Sequence, residues 1–387
     1  MTAVVVAGAV ANKAGSGGEA WVRLSWIRGL QRLGLDVWFV EQLAHGMCTD
    51  ADGKPVEPEQ SVAAAYLRDV VEEFALVDRA TLLVEDDAVM GPSLEDLLAL
   101  AQSATLINIS GHLAHPRLLR KFRRRVFVDI DPGFTQFWHA SGNPAAHVEG
   151  HDLHFTIGEN VGTPGCAIPT GGIRWYPVRQ PVVLDDWPLS DGGDPDRFTT
   201  VANWRGPFGG IEFEGRTFGL KVHEFRKFLP LPQMSTRTFE IALNIHAADE
   251  CDRAALHEHG WRLVDPITVA RPDGFRSYVQ GSGAEFSVAQ GIYVDTNSGW
   301  FSDRSVRYLA SGRPVLVQHT GFDASLPVGE GLLAFRTLEE AAKSADRIAA
   351  DHHLHRQAAR AIAERCFSSD LVLGRFCEQA GIGSSSP

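Results

Sequence analysis

From Thr296 to Ser305 the chain reads Thr-Asn-Ser-Gly-Trp-Phe-Ser-Asp-Arg-Ser, a polar stretch carrying hydroxyls, a glycine and a guanidinium. The apolar residues Val306, Leu309 and Ala310 come next at helical spacing, so a helix begins here and Ser302 stands at its N-cap position. A helix start presents unpaired amides and the positive end of the helix dipole, which together suit an anion such as a diphosphate. Thr296, Ser298, Ser302, Asp303, Arg304 and Ser305 are therefore candidate contacts for a phosphate-bearing ligand. Gly312 ends the helix, and Pro314 opens the strand Val315-Leu316-Val317.

Two further stretches place proton-transfer groups at strand ends. His112 comes after the strand that begins at Thr105, and Asp129 and Asp131 lie two apart at the end of the strand that begins at Val126. In open parallel sheets ligands sit beyond the carboxyl ends of the strands, so both stretches point at a binding crevice. An imidazole or a carboxylate there can act as a general base, which makes His112 and Asp131 the catalytic candidates. Asp129 reads as the cap of an Asp-Pro-Gly turn. Near the N-terminus, Gly15, Gly17 and Ala20 fit G-x-G-x-x-A, and Glu41 ends the second strand, as a ribose-binding acid does in a dinucleotide fold. In that fold the first glycine turns directly off the strand, whereas Ala11 to Ala14 intervene here.

These groups need a scaffold. The first half alternates strands and helices, the pattern of a doubly wound parallel sheet. Strands are expected at Val4–Val10, Asp36–Glu41, Thr81–Glu85, Thr105–Ser110, Val126–Ile130 and His154–Ile157. Helices fit the amphipathic run through Trp21, Leu24, Ile27, Leu30 and Leu33, then residues 61–77 and 92–101. From Pro164 to Pro195 proline and glycine dominate, as in an extended crossing. Beyond it, strands are expected at Phe198–Asn203, Phe239–Asn244 and Glu285–Ala289, with helices over 217–228, 249–259 and one long span from Thr337 to about Arg365. In that last span His352 and His355 are three apart, but no carboxylate or cysteine pattern completes a metal site.

With 387 residues, 44% hydrophobic and 22% charged, the chain reads as a soluble two-domain protein. No apolar run approaches the roughly 20 residues that span a bilayer. Its five scattered cysteines point to free thiols in the cytoplasm. The net charge of −12 disfavours nucleic acid as a partner.

Ala310-Ser311-Gly312-Arg313-Pro314-Val315 resembles the A-x-G-x-P-V pattern after the nucleotide-binding helix of GT-B glycosyltransferases, and the Ser-Asp-Arg helix start is similar to that of spore-coat and natural-product members. The resemblance implies two Rossmann-like domains facing across a cleft. They would be an acceptor-binding domain at 1–178 with a terminal helix at 368–380 packing back on it, a linker at 179–196, and a nucleotide-sugar domain at 197–367. It implies sugar transfer from a nucleotide-diphosphate donor to a hydroxyl or amine of a small-molecule acceptor in bacterial secondary metabolism, with no metal or other cofactor and with room for a homodimer. Gly17, Gly18, Arg205 and Lys221 become donor contacts, and Trp138 and His139 acceptor contacts. Many retaining members carry a ribose-binding Glu five residues before the glycine, where this chain has Arg307. An NAD(P)-dependent oxidoreductase and a nucleotide-sugar-binding protein without transfer remain the alternatives.

Overall fold

The computed structural model describes residues 2–206 and 208–383. The chain builds two sheets. The first contains β1 (Ala3–Ala7), β2 (Asp36–Leu43), β3 (Ala80–Val84), β4 (Asp87–Met90), β5 (Thr105–Ile109), β6 (Arg124–Asp129), β7 (Leu153–Thr156) and β8 (Trp175–Pro177). Its spatial order is β4-β3-β2-β1-β5-β6-β7-β8, parallel throughout except for the antiparallel β3–β4 pair. Val4, Val5 and Val6 are buried on both faces of β1, which is why that strand is apolar without alternation.

The second half contains β9 (Arg197–Asn203), β10 (Ile211–Phe213), β11 (Arg216–Phe218), β12 (Thr238–Asn244), β13 (Arg262–Val264), β14 (Ala284–Ser287), β15 (Val315–Gln318) and β16 (Leu332–Phe335). Six of them form a parallel sheet in the order β13-β12-β9-β14-β15-β16, and β10 and β11 form a separate hairpin. The strand order reverses between β1 and β5 in one sheet and between β9 and β14 in the other. In open α/β sheets such switch points are where ligand crevices form. The architecture is thus the α/β, two-sheet arrangement that the alternating pattern implies.

Several elements differ from the sequence reading. The helix expected from Thr217 begins only at Lys221 and ends at Arg226, because Arg216–Phe218 pairs with Ile211–Phe213 instead. The long helix from Thr337 is two helices, Leu338–Ala350 and His352–Cys366, broken where Asp351 leaves helical geometry and its side chain accepts the Leu354 amide. The histidines of the second helix are spent on the backbone: His352 Nε2 bonds the Gly283 carbonyl at 2.9 Å, and His355 Nδ1 accepts the Gly331 amide at 3.0 Å.

The chain crosses between the halves twice, and the two crossings hydrogen-bond each other. The Val182 amide donates to the Phe367 carbonyl at 2.9 Å, and the Ser369 amide donates to the Val182 carbonyl at 2.8 Å. The helix Ser369–Ala380 then lies on the first helix, Gly17–Arg32, with Phe376 edge-on to Trp26 at 5.0 Å and Leu373 seated over Gly29. Among the described residues no helix is long and apolar enough to cross a membrane.

Candidate active site

The loop after β1 takes its shape from Glu41. This fully buried carboxylate accepts the amides of Val10, Ala11 and Asn12 at 2.7, 2.8 and 2.7 Å. Burial pushes its pKa up to about 7 against the pull of those three amides. A carboxylate so occupied cannot hold a ribose, and the amides that could cradle a phosphate are filled from within. The dinucleotide reading of Gly15, Gly17, Ala20 and Glu41 loses its physical basis here.

Gly17 and Gly18 are explained by closeness to the other half of the chain. A Cβ on Gly17 would strike the backbone carbonyls of Val269 and Arg271, and one on Gly18 would come within 2.9 Å of the Phe275 ring. The same seam carries a bond from Trp21 Nε1 to the Pro272 carbonyl at 2.8 Å and one from Tyr66 Oη to the Ala270 carbonyl at 2.9 Å. Gly17 thus meets protein backbone and Gly18 an aromatic ring where the sequence reading put a donor phosphate.

Beyond β6 the two aspartates divide their work. Asp129 is fully buried and accepts from Thr135 Oγ1 at 2.8 Å, Gln136 Nε2 at 2.8 Å, Thr156 Oγ1 at 2.6 Å and the Asp131 amide at 3.1 Å. All its lone pairs are engaged, so it fixes the turn. Asp131 instead opens onto the cleft and receives one side-chain bond, from Tyr293 Oη at 3.0 Å across the junction of the halves. Surrounding protein pushes its pKa up to about 6, helped by Glu19 and Asp129 and opposed by Tyr293 and Lys13. His112 is half-buried after the left-handed pair Ser110 and Gly111. Burial, with Arg23 and Lys13 nearby, pulls its pKa down to about 3, so its ring is neutral near pH 7 and only weakly basic.

On the facing side, Ser302 caps the helix Asp303–Ala310, its hydroxyl accepting the Arg304 amide at 3.2 Å. Ser302→Ala should therefore lower stability by about 0.5–2 kcal/mol, read as a shifted denaturant midpoint with an unchanged slope. Arg304 does not project freely as the sequence reading had it. Its Nε bonds Glu285 Oε1 at 2.6 Å, Nη1 the Val201 carbonyl at 2.9 Å and Nη2 Ser287 Oγ at 2.6 Å, so it rivets β9 to β14 at their switch point. Thr296 and Ser298 also turn inward: Thr296 Oγ1 donates to the Ile292 carbonyl at 2.6 Å and Ser298 Oγ to the Tyr293 carbonyl at 3.2 Å. Ser305 is fully buried, with its hydroxyl unpartnered among the described residues. It lines a small cavity with Ser287, Ser302 and Gln318.

The remaining candidates separate cleanly. Arg205 is held on the surface by Asp249, with Nη2 to Oδ1 at 2.7 Å and Nε to the same oxygen at 2.9 Å. Its charge is therefore already met. Trp138 lies edge-on to Phe208 at 4.8 Å, and His139 Nε2 bonds the Gly171 carbonyl at 3.2 Å, bracing the neighbouring loop. Lys221 starts its helix and has no ion-pair partner among the described residues. Burial and nearby Arg304 pull its pKa down to about 8, while Asp303, Glu285 and Asp131 oppose that pull. Asp303 itself pairs with Arg307 at 2.7 Å, and Arg307 reaches on to Ser25 Oγ at 3.4 Å and to the face of Trp187. The side chain standing where the ribose-binding Glu was sought is thus part of the junction between the halves.

The structure therefore brings Lys221 within reach of the charges of Asp131, Asp303 and Arg304, sets His112 with Lys13, Glu19 and Arg23, and sends Arg205 elsewhere. It adds Lys13, Glu19, Arg23, Tyr293 and Glu285, which sequence spacing did not single out. Glu19 and Arg23 are an (i, i+4) ion pair, a signal present in the sequence. Glu285 and Tyr293 meet their partners only through the fold.

No family model matches the chain, and no curated protein matches it by sequence. Solved structures do. An alpha-glucosyltransferase in complex with UDP-glucose and DNA containing an abasic site is 10% identical, with 98% of each chain covered and a TM-score of 0.57. Anabaena HepE in complex with UDP-glucose is 11% identical over 98% of this chain and 100% of its own, with a TM-score of 0.58. AviGT4, a glycosyltransferase involved in avilamycin A biosynthesis, is 13% identical over 98% and 97%, with a TM-score of 0.52. The chain has the GT-B fold. The DNA complexes among these GT-B structures overturn the exclusion of nucleic acid drawn from net charge. A charge of −12 averages over the whole surface and does not describe any one groove.

Proposed function

We propose that this GT-B protein transfers a glycosyl group from a nucleoside-diphosphate sugar to a hydroxyl or amine of a small-molecule acceptor. One observation carries the reading. Lys221, a cation without a carboxylate partner among the described residues, feels the charge of Asp131, a carboxylate from the other half whose pKa is pushed up to about 6. The donor's bond from sugar C1 to phosphate oxygen breaks as the acceptor oxygen bonds C1. The acceptor's proton passes to Asp131, and the leaving diphosphate keeps the electron pair. Lys221 and the amides of the helix start at Ser302 then face the charge that develops. An acceptor from secondary metabolism is supported by the likeness to AviGT4.

The test is donor binding followed by diphosphate release across a panel of nucleotide sugars, with small hydroxylated acceptors and a DNA duplex as separate arms. Lys221→Ala should weaken nucleoside-diphosphate binding by about 1.5–3 kcal/mol, the scale of a hydrogen bond to a charged group. Lys221 is a cation below its pKa of about 8, so affinity should fall as pH rises through that value in the wild type and stay flat in the variant. A nucleoside diphosphate bound equally by both proteins at every pH ends the assignment of Lys221. A protein that releases no diphosphate from any donor is not a transferase.

A further inference from the structure

Between β9 and the Lys221 helix the second half extends an arm over the first. Its root is Trp204, buried, with Nε1 bonded to Asp252 Oδ2 at 2.7 Å. Its far end is the β10–β11 hairpin, where Phe213 and Phe218 pack on Phe137 at 5.0 and 4.8 Å. With both ends anchored, Phe208 is carried onto the helix Phe134–Ala140, 4.8 Å from Trp138 and 6.1 Å from Phe134. Unlike those anchors, Phe208 remains 49% exposed. Phe134 also meets Tyr293 at 6.5 Å, and the Tyr293 hydroxyl bonds Asp131. A row of rings therefore runs from the open face of Phe208 to the carboxylate that takes the proton.

The chemistry of this row selects its ligand. Phe134 is buried behind the row, so the surface on offer is Phe208, which has no hydrogen-bonding group, and half-buried Trp138, which has one N–H; a polyhydroxylated ring laid here would lose hydration without replacement. A planar aromatic ring loses little water and gains edge and face contacts. A hydroxyl on such a ring also gives up its proton near pH 10, as tyrosine does, far more readily than an aliphatic alcohol, which suits a carboxylate base. We infer that the acceptor is a planar aromatic ring bearing its own hydroxyl, held by Phe208 and Trp138 at the helix that follows Asp131 in the chain. The inference deepens the transfer reading and rests on it for its chemistry: the phenolic proton goes to Asp131, the oxygen bonds sugar C1, and the diphosphate departs.

The ring site is testable without turnover. Calorimetric titration of the whole protein with 2-naphthol, and with cyclohexanol as the saturated control, should show binding of the first only. Phe208→Ala should weaken naphthol binding about 5- to 150-fold, the range of one lost stacking partner, and Phe208→Tyr should restore it. Supplied with a nucleotide sugar, the wild type should form the aryl glycoside, and Phe208→Ala should raise KM for naphthol while leaving KM for the donor unchanged. Naphthol binding that is absent, or equal in the wild type and Phe208→Ala, overturns the inference, as does equal use of cyclohexanol. Ring binding that depends on Phe208 in a protein that consumes no nucleotide sugar sinks the transfer reading and leaves the ring site standing.

Discussion

Asp131→Asn should lower turnover by a factor of about 10²–10⁴ while leaving donor affinity within twofold, because a general base acts on the acceptor and not on the donor. The substitution keeps the size of the side chain and its capacity to accept from Tyr293 Oη, so folding should survive. What it removes is the charge. In the wild type, kcat/KM should rise with pH through about 6 as the Asp131 carboxyl ionises. It should fall again above about 8 as Lys221 loses its proton, giving a bell. Asp131→Asn should abolish the acid limb and Lys221→Ala the alkaline one. His112→Ala serves as the comparison: a ring with its pKa pulled down to about 3 gains little as a base at neutral pH. A large turnover loss in His112→Ala together with a mild one in Asp131→Asn would reverse the assignment. Product stereochemistry supplies an independent reading. Inversion at C1 fits a base on the acceptor side, whereas retention with an unaffected Asp131→Asn variant would hand the proton to the leaving phosphate.

The second large effect is on stability. Arg304→Ala leaves the Glu285 carboxylate, with no exposed side-chain surface, without its cation. It also strips a donor from the Val201 carbonyl and from Ser287 Oγ. Removing one member of a buried ion pair costs about 3–5 kcal/mol, since the survivor is left charged and unsolvated. Glu285→Ala should cost a similar amount for the mirror-image reason. The double variant Arg304→Ala with Glu285→Ala should lose less than the two single losses together, because neither charge then remains buried alone. Chemical denaturation of the four proteins measures this directly. Additive losses in the double variant would show that the pair is not coupled. Arg304, read from the sequence as a diphosphate ligand, is chiefly a rivet between β9 and β14.

The contrast between Ser302 and Arg304 shows where sequence reasoning stops. Ser302 is a cap because the helix it serves begins at Asp303, so its role is local and was visible. Arg304 sits on the same helix start, but its partners lie on β9 and β14, one of them 103 residues away, and no spacing rule reaches that far. The same divide separates Asp129 from Asp131: the turn was legible, but the hydroxyls and the amide that consume Asp129, and the tyrosine that reaches Asp131, come from other elements. Gly17 and Gly18 invited a phosphate reading because close backbone approach is what glycine permits, and the sequence does not name the object approached. The sheets were largely legible because buried parallel strands are continuous apolar runs. The β10–β11 hairpin was missed because three-residue strands carry too little alternation to stand out.

The terminal helix has a consequence for how the chain is made. The first helix is synthesised early, yet Trp26 packs on Phe376, and Gly29 on Leu373 and Ser369, residues added about 350 positions later. At about 5–20 residues per second, a ribosome takes tens of seconds to deliver that cover. The N-terminal sheet must wait for it with an apolar face open to water, the kind of surface that chaperones shield. Release of the finished half is thus coupled to completion of the other, and truncation just before Ser369 should leave a nascent N-terminal half that chaperones retain.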